Sequence, residues 1–300
     1  MQLVGLCKRV AASVAVVASL AACANGASGQ TTAGPVRVVA ATNVWGDIAA
    51  QIGGSGAHVT SLISSAAVDP HEYEADVHDA ASVYRARIVI ENGASYDDFL
   101  AKLVSAGHRP DLAVVKVASL VGAADTANPH LWYSPDYVVR AARAIEVALA
   151  HAAPSLAATF AANLRTFLAG EAAVSVTIGR IKALHAGEAV AYTEPLPAYL
   201  VQAAGLRLGT PAGFSKSVED GTDPSPADSA AFERALTTHA VKAMIYNAQV
   251  TDPQTGRLRT VAQQAGVPVV PMTETLPRGL TFQAWQALQA TTLLAALDQA

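Results

Sequence analysis

The chain of 300 residues has two cysteines, Cys7 and Cys23, and both lie in its first 23 positions. The rest of the sequence therefore has no thiol for a disulfide framework, a CxxC redox pair or a thiolate metal site. Charged residues make up 15% and aromatic residues 6% of the chain, and 20 Lys plus Arg do not outnumber 24 Asp plus Glu. The basic footprint of a nucleic-acid binder is missing. A GxSxG elbow and a phosphate-binding Walker loop are absent as well. The nearest approach to the HExxH metalloprotease helix, His71 to Ala75, has alanine where the second histidine would stand.

What is present begins with an export pattern. Lys8 and Arg9 precede an apolar stretch from Val10 to Leu20, shorter than the roughly 20 residues that a spanning helix needs. It ends in Leu20-Ala21-Ala22-Cys23, which resembles the lipobox of bacterial lipoproteins. This implies a signal peptide over 1–22, removal of that peptide, and lipidation of Cys23 at the outer face of the cell membrane. Loss of Lys8 and Arg9 would take the formal charge from −4 to −6, a mildly acidic surface that suits a protein gathering cations. Residues 23–35 are rich in Gly, Ser, Thr and Ala without an apolar period and read as a flexible tether.

From Val36 onward, short β-branched runs alternate with helical patterns. VRVVAA (36–41), HVTSLI (58–63), RIVIENG (87–93) and LAVVKV (112–117) are followed by AVAYT (189–193), LRLGT (206–210), VKAMIY (241–246) and VPVVPM (267–272). Such alternation predicts an α/β fold with parallel sheets, divided into an N-terminal α/β lobe over 36–153 and a C-terminal one over 186–300. Between them, Leu156, Phe160, Leu164, Phe167 and Leu168, continuing through Ile178, Ile181 and Leu184, predict one long helix over 154–185. Gly170 and Gly179 are positions where it could break. Residues 211–225 read as a solvated connector, with Ser225 as N-cap and Pro226 as first residue of a helix through Leu236.

Four residues carry the candidate chemistry. His71 and His130 each follow a proline, which fixes its own φ and biases the residue before it to an extended form, so each imidazole is held in a pre-set direction. Glu194 and Glu274 follow apolar strand-like runs, where α/β sheets gather ligands at the carboxyl ends of their strands. Their separations of 59, 64 and 80 residues mean that only the finished fold can unite them. The pattern suggests one ion held between two halves.

The stretches TNVWGDIAAQIGG, VDPHEYE, IVIENGASYDDFLAKL, NPHLWYSPDYV, TEPLPAYLVQAAGL and TETLPRGLTFQAW occur in one order from Val36 to the C-terminus. In them the chain resembles the metal-binding lipoproteins of the cluster A-I solute-binding family, the zinc and manganese receptors of bacterial ABC importers. The resemblance implies two lobes joined by a rigid helix, with one divalent ion, manganese or zinc, carried as transported ligand in the cleft between them. His71, His130, Glu194 and Glu274 match the four ligand positions. It further implies a monomeric, lipid-anchored receptor, not an enzyme, that serves a membrane permease with a cytoplasmic ATPase.

The chain departs from the family pattern in having Glu194 where the zinc branch often has histidine, no His-rich loop, and Glu274 where aspartate is usual. A metal-dependent hydrolase and a receptor for an organic solute are the alternatives. The first lacks a position for an activated water if both glutamates coordinate. The second would call for an aromatic-lined cleft that 6% aromatic content does not favour.

Overall fold

The computed structural model describes residues 34–65, 68, 73–107, 109–249 and 252–300. The signal peptide, Cys23, nearly all of the tether and His71 lie outside the described residues. Pro35 to Ala300 form one compact unit.

All eight expected strands are present, in two four-stranded sheets. The first contains β1 (Val36–Thr42), β2 (Ala57–Ile63), β3 (Ile88–Glu91) and β4 (Ala113–Lys116) in the order β2-β1-β3-β4. The second contains β5 (Ala189–Tyr192), β6 (Arg207–Leu208), β7 (Met244–Asn247) and β8 (Val269–Met272) in the order β6-β5-β7-β8. Every pairing is parallel, with Val38 opposite Ile88 in one sheet and Ala191 opposite Met244 in the other. The central strands IVIE and AVAY are buried at all four positions, because crossover helices cover both faces of a parallel sheet. In each sheet the strand order reverses beside the first strand, so the carboxyl ends of β1 and β3, and of β5 and β7, open a crevice for ligands.

The N-terminal lobe carries α1 (Asn43–Gly53), α2 (Val77–Arg85), α3 (Asp98–Ala106), α4 (Val117–Val121) and α5 (Pro135–Ala152). Then α6 (Ala157–His185) leads to α7 (Ala198–Ala203), α8 (Ala212–Glu219), α9 (Pro226–Thr237), α10 (Pro253–Gln264) and α11 (Phe282–Leu297). Starts are set by local chemistry. Ser134, Ser225 and Asp252 each cap a helix whose first residue is proline, their side chains accepting N–H groups of the first turn. Among the described residues, no helix is long and apolar enough to cross a membrane.

The connecting helix α6 runs 29 residues without interruption, about 43 Å at 1.5 Å per residue. Its buried positions are Phe160, Leu164, Phe167, Glu171, Val174, Ile178 and Ile181, alternately four and three apart, which gives a single stripe along one side. The next position of that stripe is His185, and Leu184, expected to be apolar core, is 56% exposed. Neither glycine breaks the helix. At Gly170 a Cβ would lie 3.1 Å from Cγ of Gln283 on α11, so the small residue there permits close approach of two helices.

The segment 211–225 differs from expectation. Most of it is helix α8, whose Phe214 is fully buried in ring contact with Phe232 at 4.9 Å. One large apolar cluster runs through both lobes, from Val38, Trp45 and Ile90 through the α6 stripe to Val190, Ile245 and Trp285.

Candidate functional site

His130 is fully buried, on a loop between α4 and α5. Asn128 orients it: its Oδ1 accepts the His130 backbone N–H at 3.1 Å and lies 2.7 Å from the ring Nδ1. A carbonyl oxygen only accepts, so Nδ1 carries a proton there and Nε2 is the nitrogen turned toward the other lobe. The ring sits edge-on to Trp132 at 5.4 Å and to Tyr96 at 6.0 Å. Asn92, just past β3, holds the loop from beneath. Its side chain donates to the carbonyl of Pro129 at 2.9 Å and accepts the indole N–H of Trp45 at 3.0 Å.

The turn after β3 is strained and pinned. Gly93, Ala94 and Ser95 all have positive φ, of 75°, 52° and 59°, a costly conformation for the two that carry a Cβ. A Cβ at Gly93 would come within 2.8 Å of Cβ of Ala118. Asp97 holds the turn closed by accepting the backbone N–H groups of Asn92 at 2.6 Å and Gly93 at 2.8 Å. Burial pushes the Asp97 carboxyl up to about 7, against those two donors. The result is that Tyr96 projects across to the other lobe and donates its hydroxyl to Glu274 Oε2 at 3.1 Å. Burial first, and the Glu274 carboxylate next, hold the Tyr96 phenol well above its ordinary range, so it remains a donor.

The C-terminal lobe supplies its acids from strand ends. Glu194 lies two residues beyond β5, Glu274 two beyond β8, and Asn247 is the last residue of β7. All three are buried. Asn247 Nδ2 donates to Glu194 Oε2 at 2.9 Å and to Glu274 Oε1 at 2.5 Å. Gln249 fixes the Glu274 backbone, its Oε1 accepting the N–H groups of Glu274 at 2.6 Å and Thr275 at 2.8 Å.

The two lobes meet at this point. His130 Nε2 lies 3.7 Å from Glu274 Oε2, and both side chains are fully buried. That is long for a hydrogen bond, yet two ligands about 2.1 Å from one tetrahedral ion stand about 3.4 Å apart. The structure thus brings His130, Glu194 and Glu274 into one neighbourhood, with Glu194 joined through Asn247. Among the described residues, no three His, Cys, Asp or Glu side chains form a metal-holding group by themselves. A groove of about 390 Å³, lined by Tyr96, Asn128, Pro129, Pro195 and Glu219 among others, opens beside the site. A larger hollow of about 470 Å³ touches α8, α9 and α10 and contains none of the candidate donors.

Sequence reasoning missed Asn92, Tyr96, Asn128, Asn247 and Gln249. Amides and phenols have no ligand signature of their own. Only the position of Asn128 before Pro129-His130, and of Asn247 at the end of a strand-like run, could have pointed to them.

Two parallel-sheet lobes spanned by one uninterrupted helix, with polar groups from both lobes meeting at the strand ends, define a solute-binding protein of the rigid-helix type. The chain belongs to the ZnuA family, zinc-uptake complex component A, periplasmic, whose model matches residues 38–296. This is a family of substrate-binding proteins rather than enzymes. The chain is 30% identical over 159 residues to the manganese-binding lipoprotein MntA of Bacillus subtilis (strain 168). That match covers 50% of this chain and 51% of the relative, so the chain spans about half the length of the curated relative it matches.

Solved structures with the same fold include the periplasmic zinc-binding protein TroA of Treponema pallidum. It has a TM-score of 0.74 at 18% identity, covering 88% of this chain and 99% of that one. The solute-binding protein FpvC of Pseudomonas aeruginosa in complex with Mn²⁺ has a TM-score of 0.73 at 19% identity, covering 88% and 98%. A second FpvC structure holds Ni²⁺.

Proposed function

We propose that this chain is the extracytoplasmic substrate-binding lipoprotein of an ABC importer. It captures one divalent transition-metal ion, manganese or zinc, and delivers it to a membrane permease driven by a cytoplasmic ATPase. In this reading His71 and His130 reach the ion from the N-terminal lobe (36–153) and Glu194 and Glu274 from the C-terminal lobe (186–300). Cys23 carries the lipid that keeps the protein at the membrane's outer face, and the protein acts as a monomer.

The observation that carries the reading is the 3.7 Å approach of His130 Nε2 to Glu274 Oε2 across the cleft, in full burial. Burying an imidazole nitrogen and a carboxylate carries a desolvation cost that their partners must offset. A bound ion compensates both, and because its donors come from two lobes it favours the arrangement in which they are together. Two imidazoles and two carboxylates form a mixed nitrogen and oxygen set that either ion accepts, with zinc the stronger binder at most such sites. Family membership and the manganese-binding relative agree with cargo of this kind.

The test is a competition titration with zinc and manganese on protein beginning at Ala24. Unsubstituted protein is expected to bind one ion per chain, and Glu274→Ala and His71→Ala each to weaken binding at least 100-fold. Stoichiometric binding of unchanged affinity in both variants would remove the assignment.

A further inference from the structure

The loop that carries Glu274 is held on both flanks by side chains of the N-terminal lobe. Asn43, the first residue of α1, holds Leu276, accepting its backbone N–H at 2.9 Å and donating to its carbonyl at 2.8 Å. On the other flank stands Tyr133, the last residue of the short 3-10 turn Leu131–Tyr133 that directly follows His130. Its hydroxyl lies 2.8 Å from the carbonyl oxygen of Thr273 and 2.7 Å from Oε1 of Gln289 on α11. The hydroxyl has one hydrogen for these two acceptors. Either choice ties Thr273, because Gln289 Oε1 also accepts the Thr273 backbone N–H at 3.1 Å.

Tyr133 is 1% exposed, with its ring edge-on to Trp285 at 6.0 Å by centroid, and Trp285 donates its indole N–H to Thr273 Oγ1 at 2.9 Å. Burial holds the Tyr133 phenol well above its ordinary range, so it remains a donor. A hydrogen bond shielded from water in this way is stronger than one in solvent. The other end of the link is short as well. The Tyr133 backbone N–H donates to the His130 carbonyl at 3.2 Å, and Thr273 immediately precedes Glu274. The path from one candidate donor to the other therefore runs through His130, Tyr133, Thr273 and Glu274, and it closes at 3.7 Å between Nε2 and Oε2.

We infer that Tyr133 is a positioning residue of the ion site: from the turn that carries His130 it pins the backbone that carries Glu274, so that these two groups of different lobes are held together before an ion arrives. This rests on the metal-binding reading above. The pin moves with His130 at one end and with Glu274 at the other, so their relative placement is kept when other contacts of the cleft change. The entropy of ordering the pair is then lost at folding rather than at binding. Because Asn43 holds the far flank of the loop, deleting the Tyr133 hydroxyl loosens one side of Glu274 and leaves the other in place.

The test measures zinc affinity by competition on the folded fraction of unsubstituted protein, Tyr133→Phe, Glu274→Ala and the double variant. Tyr133→Phe keeps the ring against Trp285 and deletes only the hydroxyl. It is expected to weaken zinc binding about tenfold, the lower end for a group that acts through a ligand. In the Glu274→Ala background the same change is expected to alter affinity by less than about twofold, since no carboxylate is left to position.

Unchanged zinc affinity in Tyr133→Phe, or an equal loss in both backgrounds, would overturn this inference alone when the unsubstituted protein loads one ion and Glu274→Ala binds more weakly. An equal loss would mark the hydroxyl as a support of the fold and not of the pair. Failure of the unsubstituted protein to load zinc, or full affinity in Glu274→Ala, would overturn the metal-binding reading and this inference with it.

Discussion

The two lobes are joined along two seams of opposite character. One seam is mainly apolar: α1, α6 and α11 pack together, with Phe167 6.2 Å from Phe282 and Phe282 5.9 Å from Trp285 by ring centroid, in a cluster continuous with both sheets, and Gln283 hydrogen-bonds Gln51 and the Phe167 carbonyl beside it. The other is polar and lies at the strand ends. There Asn128 donates to the carbonyl of Pro195 at 2.7 Å, Tyr199 donates to the carbonyl of Asn128 at 3.0 Å, and Tyr96 reaches Glu274.

The difference shows how one molecule can be stiff and still responsive. Apolar contact is non-directional and tolerates no gap, so it fixes the lobes as a body. Hydrogen bonds at the cleft are few, directional and individually worth about 1 kcal/mol, so under the proposed function they are the contacts to be exchanged when an ion arrives or leaves.

Mutations can break each seam separately. Phe167→Ala removes a fully buried ring from the apolar seam and is expected to cost about 3–5 kcal/mol in urea unfolding. Metal affinity measured on the folded fraction should stay close to that of the unsubstituted protein. A loss below 1 kcal/mol would show that the stripe of α6 does not hold the lobes together.

At the polar seam, Asn128→Ala deletes both the partner of His130 Nδ1 and the bond to Pro195. It should weaken metal binding about 10–100-fold while thermal stability changes little. Equal effects on stability and affinity would erase the distinction between the seams.

The apolar seam also holds a buried acid that sharpens the comparison. Glu171 occupies a buried position of the α6 stripe, and its Oε2 has no hydrogen-bond partner among the described residues. Burial pushes its carboxyl from 4.5 up to about 7. The folded state therefore binds a proton more tightly than the unfolded chain. The group costs nothing below about pH 4, where it is neutral in both states, and the penalty grows as pH rises through 4.5 to 7 and is constant above. Glu171→Gln is expected to raise unfolding free energy by about 2 kcal/mol at pH 8 and by nothing at pH 4. A gain independent of pH would mean that the carboxylate is not the cost.

Much of this could be read from the sequence, for physical reasons. The eight strands are short β-branched runs whose burial on both faces leaves few alternatives, and the position of Glu194 and Glu274 at strand ends was legible because they directly follow such runs. The long helix was legible from Phe160, Leu164 and Phe167, although its stripe ends at His185 rather than Leu184. Helix α8 was not legible: Ala212 to Glu219 lies among Pro, Gly and Ser residues, and only Phe214 and Val218, four apart, report an inward face. The residues that orient the candidate donors were missed because their identities acquire meaning only through distances. Nothing in the order of the chain places Asn247 between acids 53 residues before it and 27 after it.

The most direct test of the central claim is anomalous scattering at the zinc edge from crystals of the zinc-loaded protein. The account predicts one strong peak per chain, about 2.0–2.2 Å from His130 Nε2 and from Glu274 Oε2. A peak elsewhere on the surface with none between these two atoms would contradict it.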